Sequence, residues 1–315
     1  MRQVRILVVG DLMLDRYISG VVDRISPEAP VPVVRVREES WAVGGAANVA
    51  ANVLALGASC DVVGCVGEDD AGGVLQDALA SLGGRLEGVI RDPSRPTTLK
   101  TRVLARSQQV VRFDLEDDRD VSAEMAGRLV AAVGQALPAV DVVVLEDYNK
   151  GVLVPGLIQA ALEGARSRGI PSIVDPKRRN FFAYGGVTVF KPNAKELEEA
   201  LGDSPRPDDP RWMEEVRTRL ACQVLLLTRG ERGMTLRGDD GVHIHVPAVA
   251  RSVYDVSGAG DTVTAVVACA LAAGASHSEA AVLANHAAAI EVGKAGVATV
   301  SPDEIAAHVA SSIPL

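Results

Sequence analysis

Short runs of Val, Ile and Leu recur along this 315-residue chain, at 6–10, 62–67, 140–145, 170–174, 187–190 and 224–227, and nearly every one runs into a polar or glycine-bearing motif. Runs this short that do not alternate with polar residues read as strands buried on both faces. Helix-like stretches lie between or after them, at 49–56, 73–82, 157–168, 263–271 and 279–292, with a short C-terminal helix from Ser301. Strand followed by helix, repeated, requires a mostly parallel sheet covered by helices, an α/β fold. In such sheets ligands bind beyond the carboxyl ends of the strands. Asp11 and Asp15, Asp147, Asp175, Asn193 and Glu196, Thr228 and Gly230, and the Gly44-Gly45 turn are therefore expected to face one cleft.

The stretch Asp255-Val256-Ser257-Gly258-Ala259-Gly260-Asp261-Thr262 leads straight into the apolar run 263–271. Gly258 and Gly260 let backbone N–H groups converge without side chains in the way. The helix start adds unpaired N–H donors and a partial positive charge, which together suit a phosphate. A carboxylate at Asp261 would repel that phosphate, so it needs another task. Either it is an ordinary helix cap, or it takes the proton from an attacking hydroxyl.

Two pieces interrupt the strand–helix pattern. Pro27, Pro30 and Pro32 exclude a helix from 16–43, where Val34-Arg35-Val36-Arg37 alternates as a half-exposed strand does. Residues 97–116 alternate in the same way around Ser107-Gln108. These pieces are expected to form a small β-sheet lid projecting from a single domain over 1–315. There are no repeats and no low-complexity linker.

Other motifs carry two readings each. Asp11 and Asp15 are either sugar-hydroxyl partners or solvated loop acids. Gly44-Gly45 allows close approach of a ligand, and Asn48 can both donate to and accept from a polyol. Asn193 and Glu196, three apart at a helix start, fit a Mg²⁺ shell, direct or through water, and equally a capping box. His243 and His245 read as strand residues, and 203–211 as a polar loop.

A net charge of −9 argues against nucleic acid and anionic membranes as partners. Aromatics at 3% leave no base-stacking platform. Cys60, Cys65, Cys222 and Cys269 lack metal or CxxC spacing and read as reduced core thiols. The N-terminal apolar run is too short for a signal or a span. A cytoplasmic protein is expected.

Gly258-Ala259-Gly260-Asp261, Gly44-Gly45-Ala46-Ala47-Asn48 and Asn193-Ala194-Lys195-Glu196 resemble the motifs of the ribokinase-like (PfkB) carbohydrate kinases. Gly10-Asp11-Leu12-Met13-Leu14-Asp15-Arg16-Tyr17, the segments 24–33 and 102–106, Asp147-Tyr148-Asn149-Lys150-Gly151 and Asp175-Pro176-Lys177 resemble one branch of it, the D-glycero-β-D-manno-heptose 7-phosphate kinases. The resemblance runs from about residue 5 to 305. It implies a three-layer α/β/α sandwich with a β lid used for homodimerisation, and ATP with Mg²⁺. It implies Asp261 as base toward the anomeric hydroxyl, with the N–H groups of Gly258, Ala259 and Gly260 holding the transferring phosphoryl group.

The same resemblance gives the sugar to Asp11, Asp15, Gly44, Gly45 and Asn48. It gives Mg²⁺ and the phosphates to Asn193 and Glu196, and the nucleotide to Thr228, Gly230 and Asn285. Asp255 and Ser257 stand where ligands of a monovalent cation such as K⁺ would be. A distal phosphate needs cations, for which Arg102, Arg106, Lys150 and Lys177 are the first candidates among the basic residues. Ser257 stands where many members carry Thr but keeps the hydroxyl. The bifunctional version carries a nucleotidyltransferase domain, for which the sequence ending at Leu315 has no room, so that step is expected to need another protein. The alternatives are a kinase of a different sugar or sugar phosphate, a non-catalytic sugar-binding protein, and an oxidoreductase. The oxidoreductase reading lacks a GxGxxG after the first strand.

Overall fold

The computed structural model describes residues 4–106, 108–250, 253–294 and 296–312. In chain order, β1 (Arg5–Gly10) leads into a long hairpin, β2 (Leu12–Ile25) and β3 (Pro32–Gly45), which returns to α1 (Ala46–Ala55). Next come β4 (Ser59–Gly67), α2 (Asp70–Ser81), β5 (Arg85–Asp92), a second hairpin of β6 (Thr98–Ala105) and β7 (Gln108–Leu115), and α3 (Ala123–Ala136). Then follow β8 (Val142–Glu146), α4 (Pro155–Ser167), β9 (Ser172–Asp175), β10 (Val189–Phe190), α5 (Ala194–Leu201) and α6 (Pro210–Arg219). The chain finishes with β11 (Val224–Thr228), β12 (Met234–Gly238), β13 (His243–Val246), α7 (Ala259–Ala272), α8 (His277–Glu291) and α9 (Pro302–Ser312).

One sheet has the order β13-β12-β11-β10-β9-β8-β1-β4-β5. It is parallel from β11 to β5, and only β12 and β13 join antiparallel. The two-residue period of a strand splits the core. Ile6 and Val8 of β1 face a layer with α1, α7 and α8, while Leu7 and Val9 face one with α3, α4 and α6. This is the expected α/β/α sandwich. It has elements the periodicity did not separate: α3, α6, β5 and β12. The polar loop expected to run to 211 stops at Asp209, which caps α6 ahead of Pro210 at its first turn. Among the described residues, no helix is long and apolar enough to cross a membrane.

The two interrupting pieces fall within a separate four-stranded sheet ordered β3-β2-β6-β7, whose two hairpins meet through parallel pairing of β2 with β6. β2 and β3 are buried where they leave and rejoin the body, at Leu12–Asp15 and Val43–Gly45, and exposed toward their far ends. Every residue of β7 is exposed, including Val111, Phe113 and Leu115.

Strand ends set the cleft. The Asp11 N–H donates to the Glu146 carbonyl at 3.1 Å, and a Cβ on Gly10 would overlap that same carbonyl oxygen. Only glycine lets β1 and β8 close at this level. Gly10→Ala is expected to cost about 3 kcal/mol, the upper range for forced overpacking, read as a lower urea midpoint with an unchanged slope. A loss under about 1 kcal/mol would mean the strand ends are not rigidly set.

Candidate active site

The loop ahead of α7 turns at Gly258, whose φ of 96° is left-handed. A Cβ there would come within 3.0 Å of Asn48 Nδ2 and 3.2 Å of Glu291 Oε1, so the position has neither the conformation nor the space for a side chain. Helix geometry leaves the first N–H groups of α7 without intrahelical acceptors, and they open toward the cleft above β8 and β9. Asp261, one turn in, is 4% exposed. Its Oδ2 accepts from Asn48 Nδ2 at 2.7 Å and its Oδ1 from the Tyr148 hydroxyl at 2.7 Å. Burial pushes its carboxyl up to about 6 against the pull of these two donors. Asn48 is itself fixed by Asn52, whose Nδ2 donates to Asn48 Oδ1 at 3.2 Å, and Thr262 donates back to Asn52 Oδ1 at 3.3 Å.

Beneath the helix start lies a set of buried charges. Glu146 ends β8 and Asp175 ends β9, directly paired in register. The carboxyls of Glu146, Asp175 and Asp261 lie within 4.8 Å of one another. Lys191, just past β10 and 2% exposed, donates to Asp175 Oδ2 at 2.8 Å. A Cβ on Gly260 would stand 3.6 Å from Asp175 Oδ2 and 3.7 Å from the Lys191 ammonium, so this ion pair lies beside the anion-receptive loop. Lys177 bridges Asp175 Oδ1 at 3.5 Å and Glu196 Oε1 at 2.5 Å. Burial works against its charge, but the two carboxylates outweigh it and hold the ammonium charged. Burial and the neighbouring acids push Glu146 well above the usual range. Its oxygens have no donor among the described residues. Glu146 is therefore the neutral acid of the set, and Asp175 carries the charge.

The acids expected to face a sugar divide. Asp11 is buried, and its carboxylate is taken up by the N–H groups of Tyr148, Lys150 and Val152 at 2.7, 3.0 and 3.1 Å. It braces the loop after β8, and burial raises its carboxyl to about 6 despite those donors. Asp15 pairs with Arg102, and its Oδ2 would be 2.6 Å from a Cβ on Gly44. Gly45 is left-handed, with φ 57°. Asp147, also expected in the cleft, turns away to accept from the Tyr184 hydroxyl at 2.6 Å.

Among the basic residues, Lys150 pairs with Glu116 at 2.8 Å. Arg106 lies exposed in the turn between β6 and β7, outside the cluster. Lys100 of β6 sits over the Tyr148 ring at 5.3 Å and Lys177 over it at 5.0 Å.

On the far side of the anion loop, Asn193 and Glu196 form a complete capping box, at 2.8 and 2.9 Å. Glu196 Oε1 remains turned to Lys177. Thr228 donates through N and Oγ1 to the Pro192 carbonyl. Gly230 opens the short turn after β11 at φ 58°. Asn285 donates to the Pro247 carbonyl at 2.8 Å. Asp255 Oδ1 accepts the Ser257 N–H at 2.9 Å.

Sequence reasoning did not single out Lys191, Glu146, Asn52 or Glu291, which the fold brings to this cluster, and quoted Tyr148 only inside a motif. The available signal for Lys191 and Glu146 was a lone charge closing a fully apolar strand. As a whole, the arrangement can hold a phosphoryl group on backbone N–H groups and an ammonium, beside a carboxyl poised to take a proton.

A model described as the pfkB family of carbohydrate kinases matches residues 3–304. The bifunctional protein HldE of Azorhizobium caulinodans is 50% identical over 305 residues, which are 96% of this chain and 64% of that protein. HldE of Geotalea uraniireducens is 44% identical over 315 residues, 99% and 64% of the two chains. The chain thus spans a little under two thirds of these relatives. Phosphofructokinase-2 of Escherichia coli, solved with substrates and products, superposes with a TM-score of 0.79 at 22% identity over 98% of this chain and 99% of that one. Ribokinase of Arabidopsis thaliana, solved with ribose and ATP, gives 0.74 at 21% identity over 98% and 99%. At these identities the likeness is one of fold.

Glu291, at the end of α8 under Gly258, is fully buried, and neither oxygen has a partner in good hydrogen-bond geometry. Burial, then Asp255 and Asp261, push it up to about 8, with only the Ala298 N–H and Lys294 pulling it down. A carboxyl raised in the folded state contributes stability that is full below its unfolded value of about 4.3 and gone above the folded one. Glu291→Gln is therefore expected to gain in Tm over the parent as pH rises from 5 to 8, and to gain no more beyond. A constant difference across that range would mean the group is not held neutral.

Proposed function

This chain belongs to the pfkB family of carbohydrate kinases, and from that premise we propose that it transfers the γ-phosphoryl group of ATP to the anomeric hydroxyl of D-glycero-β-D-manno-heptose 7-phosphate, giving a heptose 1,7-bisphosphate. The observation that carries the reaction is the Asp261 carboxyl, raised to about 6 and set one turn inside a glycine-opened helix start. The branch motifs support the acceptor, together with the HldE relatives at 44% and 50% identity.

In this proposal Asp261 accepts the proton as the sugar oxygen attacks. The N–H groups of Gly258, Ala259 and Gly260 hold the transferring phosphoryl group, and the Lys191 ammonium adds charge beside it. Asp15, Gly44, Gly45 and Asn48 position the sugar, with Asp11 acting through the loop it braces. Arg102, Lys150 and Lys177 are candidates for the distal phosphate; Arg106 would have to reach in from its turn. Thr228, Gly230 and Asn285 take the nucleotide.

The donor set fits magnesium. Glu196 and Asn193 offer oxygens, and a cation, the Lys177 ammonium, already sits between Glu196 and Asp175. Glu196 and Asn193 would hold the ion, directly or through water; bound there, it would neutralise charge on the phosphates. Asp255 and Ser257 would hold K⁺.

Phosphorylation is expected with heptose 7-phosphate and not with ribose, fructose or fructose 6-phosphate. ATP consumption against that panel, with Mg²⁺ and with or without K⁺, measures it. Turnover of a neutral sugar instead would refute the heptose assignment. Asp261→Asn should lower kcat ~10²–10⁴-fold while nucleotide still binds. Because the base acts ionised, kcat/KM should fall as pH drops through about 6.

The exposed Val36, Val111, Phe113 and Leu115 of the small sheet support a homodimer formed through that sheet. Phe113→Asp is then expected to turn a dimer into a monomer by light scattering. A parent already monomeric at micromolar concentration would refute it.

A further inference from the structure

Tyr148 is held at three points. Its backbone N–H donates to Asp11 Oδ2 at 2.7 Å, between Glu146 at the end of β8 and the left-handed Asn149. Its hydroxyl donates to Asp261 Oδ1 at 2.7 Å. Its ring carries two ammonium groups from different parts of the fold, Lys100 of β6 at 5.3 Å and Lys177 after β9 at 5.0 Å. Side chains merely filling a cleft wall are not fixed in this way.

The two oxygens of Asp261 have different surroundings. Oδ2 ends a buried chain, Thr262 to Asn52 to Asn48 to Asp261, all of whose members are at most 4% exposed. The Asn48 amide already takes up Oδ2 on that side. Oδ1 faces Tyr148, which is partly exposed to the cleft. A carboxylate oxygen has a second lone pair, so an acceptor hydroxyl can reach Oδ1 next to the phenol.

We infer that Tyr148 is a positioning residue for the proposed phosphoryl transfer. Its hydroxyl aims Oδ1 of Asp261 at the acceptor and keeps that carboxyl ionised, and the ammoniums of Lys100 and Lys177 hold the ring in place. The inference rests on the reading of Asp261 as the base. A donor to a carboxylate favours its charged form, and Tyr148 opposes the burial that raises Asp261. The other titratable groups around Asp261 are Glu146 and Asp175 from the strand ends, Lys191 after β10 and Glu291 from α8. Of these, only the Lys191 charge favours ionisation. Cations against a ring face are attracted to its negative face; they draw density from the phenol and make its O–H a better donor. Lys100 has no ion-pair partner among the described residues, and burial lowers its affinity for a proton. Its contacts are the Met13 sulfur, at 3.1 Å, and this ring. The ring therefore links the small sheet to the carboxyl.

The test uses the full chain with carbon-13-labelled aspartate, the Asp261 signal being assigned by its loss in Asp261→Asn. The carboxyl titration of the free protein is followed in the parent, in Tyr148→Phe and in protein carrying 3-fluorotyrosine at 148. The Asp261 midpoint should move to higher pH in Tyr148→Phe and to lower pH with the more acidic fluorophenol. The fluorinated protein keeps the hydroxyl, so it still reports should the Phe variant fold poorly. Steady-state kinetics should show kcat ~10–100-fold lower in Tyr148→Phe, the worth of one hydrogen bond to a charged group, with KM for the acceptor nearly unchanged. An Asp261 midpoint that moves in neither variant overturns the inference. So does a raised acceptor KM with unchanged kcat, which would make Tyr148 a sugar contact. The titration needs no substrate, so absence of turnover on every sugar would count against the proposed function and leave the positioning result standing.

Discussion

Holding a charged carboxyl inside the protein is the constraint around which this cleft is arranged. An isolated buried carboxylate is unfavourable by several kcal/mol, and such groups usually take up a proton instead. Here Glu146, Asp175 and Asp261 lie within 4.8 Å of one another, and the fold settles them differently. Asp175 keeps its charge because Lys191 and Lys177 both reach it. Glu146, with no donor, is neutral. Asp261 lies between these extremes, with Asn48 and Tyr148 as donors and no direct cation. That intermediate state lets a carboxyl be ionised near neutral pH and still accept a proton.

The framework that sets these distances is the sheet. β1, β8 and β9 end at the same level, so Gly10, Glu146 and Asp175 stand side by side in register. The glycine lets the first two close, and the acids follow from their places at the strand ends. Asp11 then does for the backbone what Asn48 does for Asp261. Its carboxylate gathers three N–H groups of the loop after β8 and fixes where Tyr148 starts. An acid at the end of the first strand reads from sequence as a ligand for hydroxyls. In the folded chain its lone pairs go to its own backbone, while Asp15, two pleat repeats further, pairs with Arg102.

Much of this was legible in the sequence because the signals are local. Uninterrupted apolar runs gave the buried parallel strands, and the glycines at 44–45 and 258–260 marked the two places where backbone must be bare. The elements that went unread are of two kinds. β5 alternates weakly through Arg85, Glu87 and Arg91, and α6 carries its apolar face within a largely polar stretch, whereas α3 has a clear face of Met125, Leu129 and Val133 that the reading for strand runs passed over. The site was legible where one segment supplies it, as with Gly258 to Asp261, and illegible where three segments do. Lys191 and Glu146 take their meaning from Asp175 across two strand neighbours. No spacing along the chain records that a tyrosine at 148 meets an aspartate 113 residues later. Asn193 and Glu196 show the converse. Both readings of the motif describe the same atoms, since a capping box leaves Glu196 Oε1 free to face Lys177.

The cations show why charge counting along the sequence overstates what a phosphate can use. Arg102 is held by Asp15, Lys150 by Glu116, and Lys177 by Glu196 and Asp175. A phosphate arriving at any of these must share the cation with an acid already hydrogen-bonded to it, which lowers the net gain. Sharing has a second effect, because an acid in the same cluster repels an anion in the wrong place and so sharpens position more than affinity. Lys100 differs from the rest. It is a part-buried ammonium that contacts a sulfur and a ring and, among the described residues, makes no ion pair, though Asp15 and Asp114 act on it at longer range; an anion there would offset the burial that now disfavours its charge. A site with one unshared cation and several shared ones can bind an anion through the first and orient it through the others.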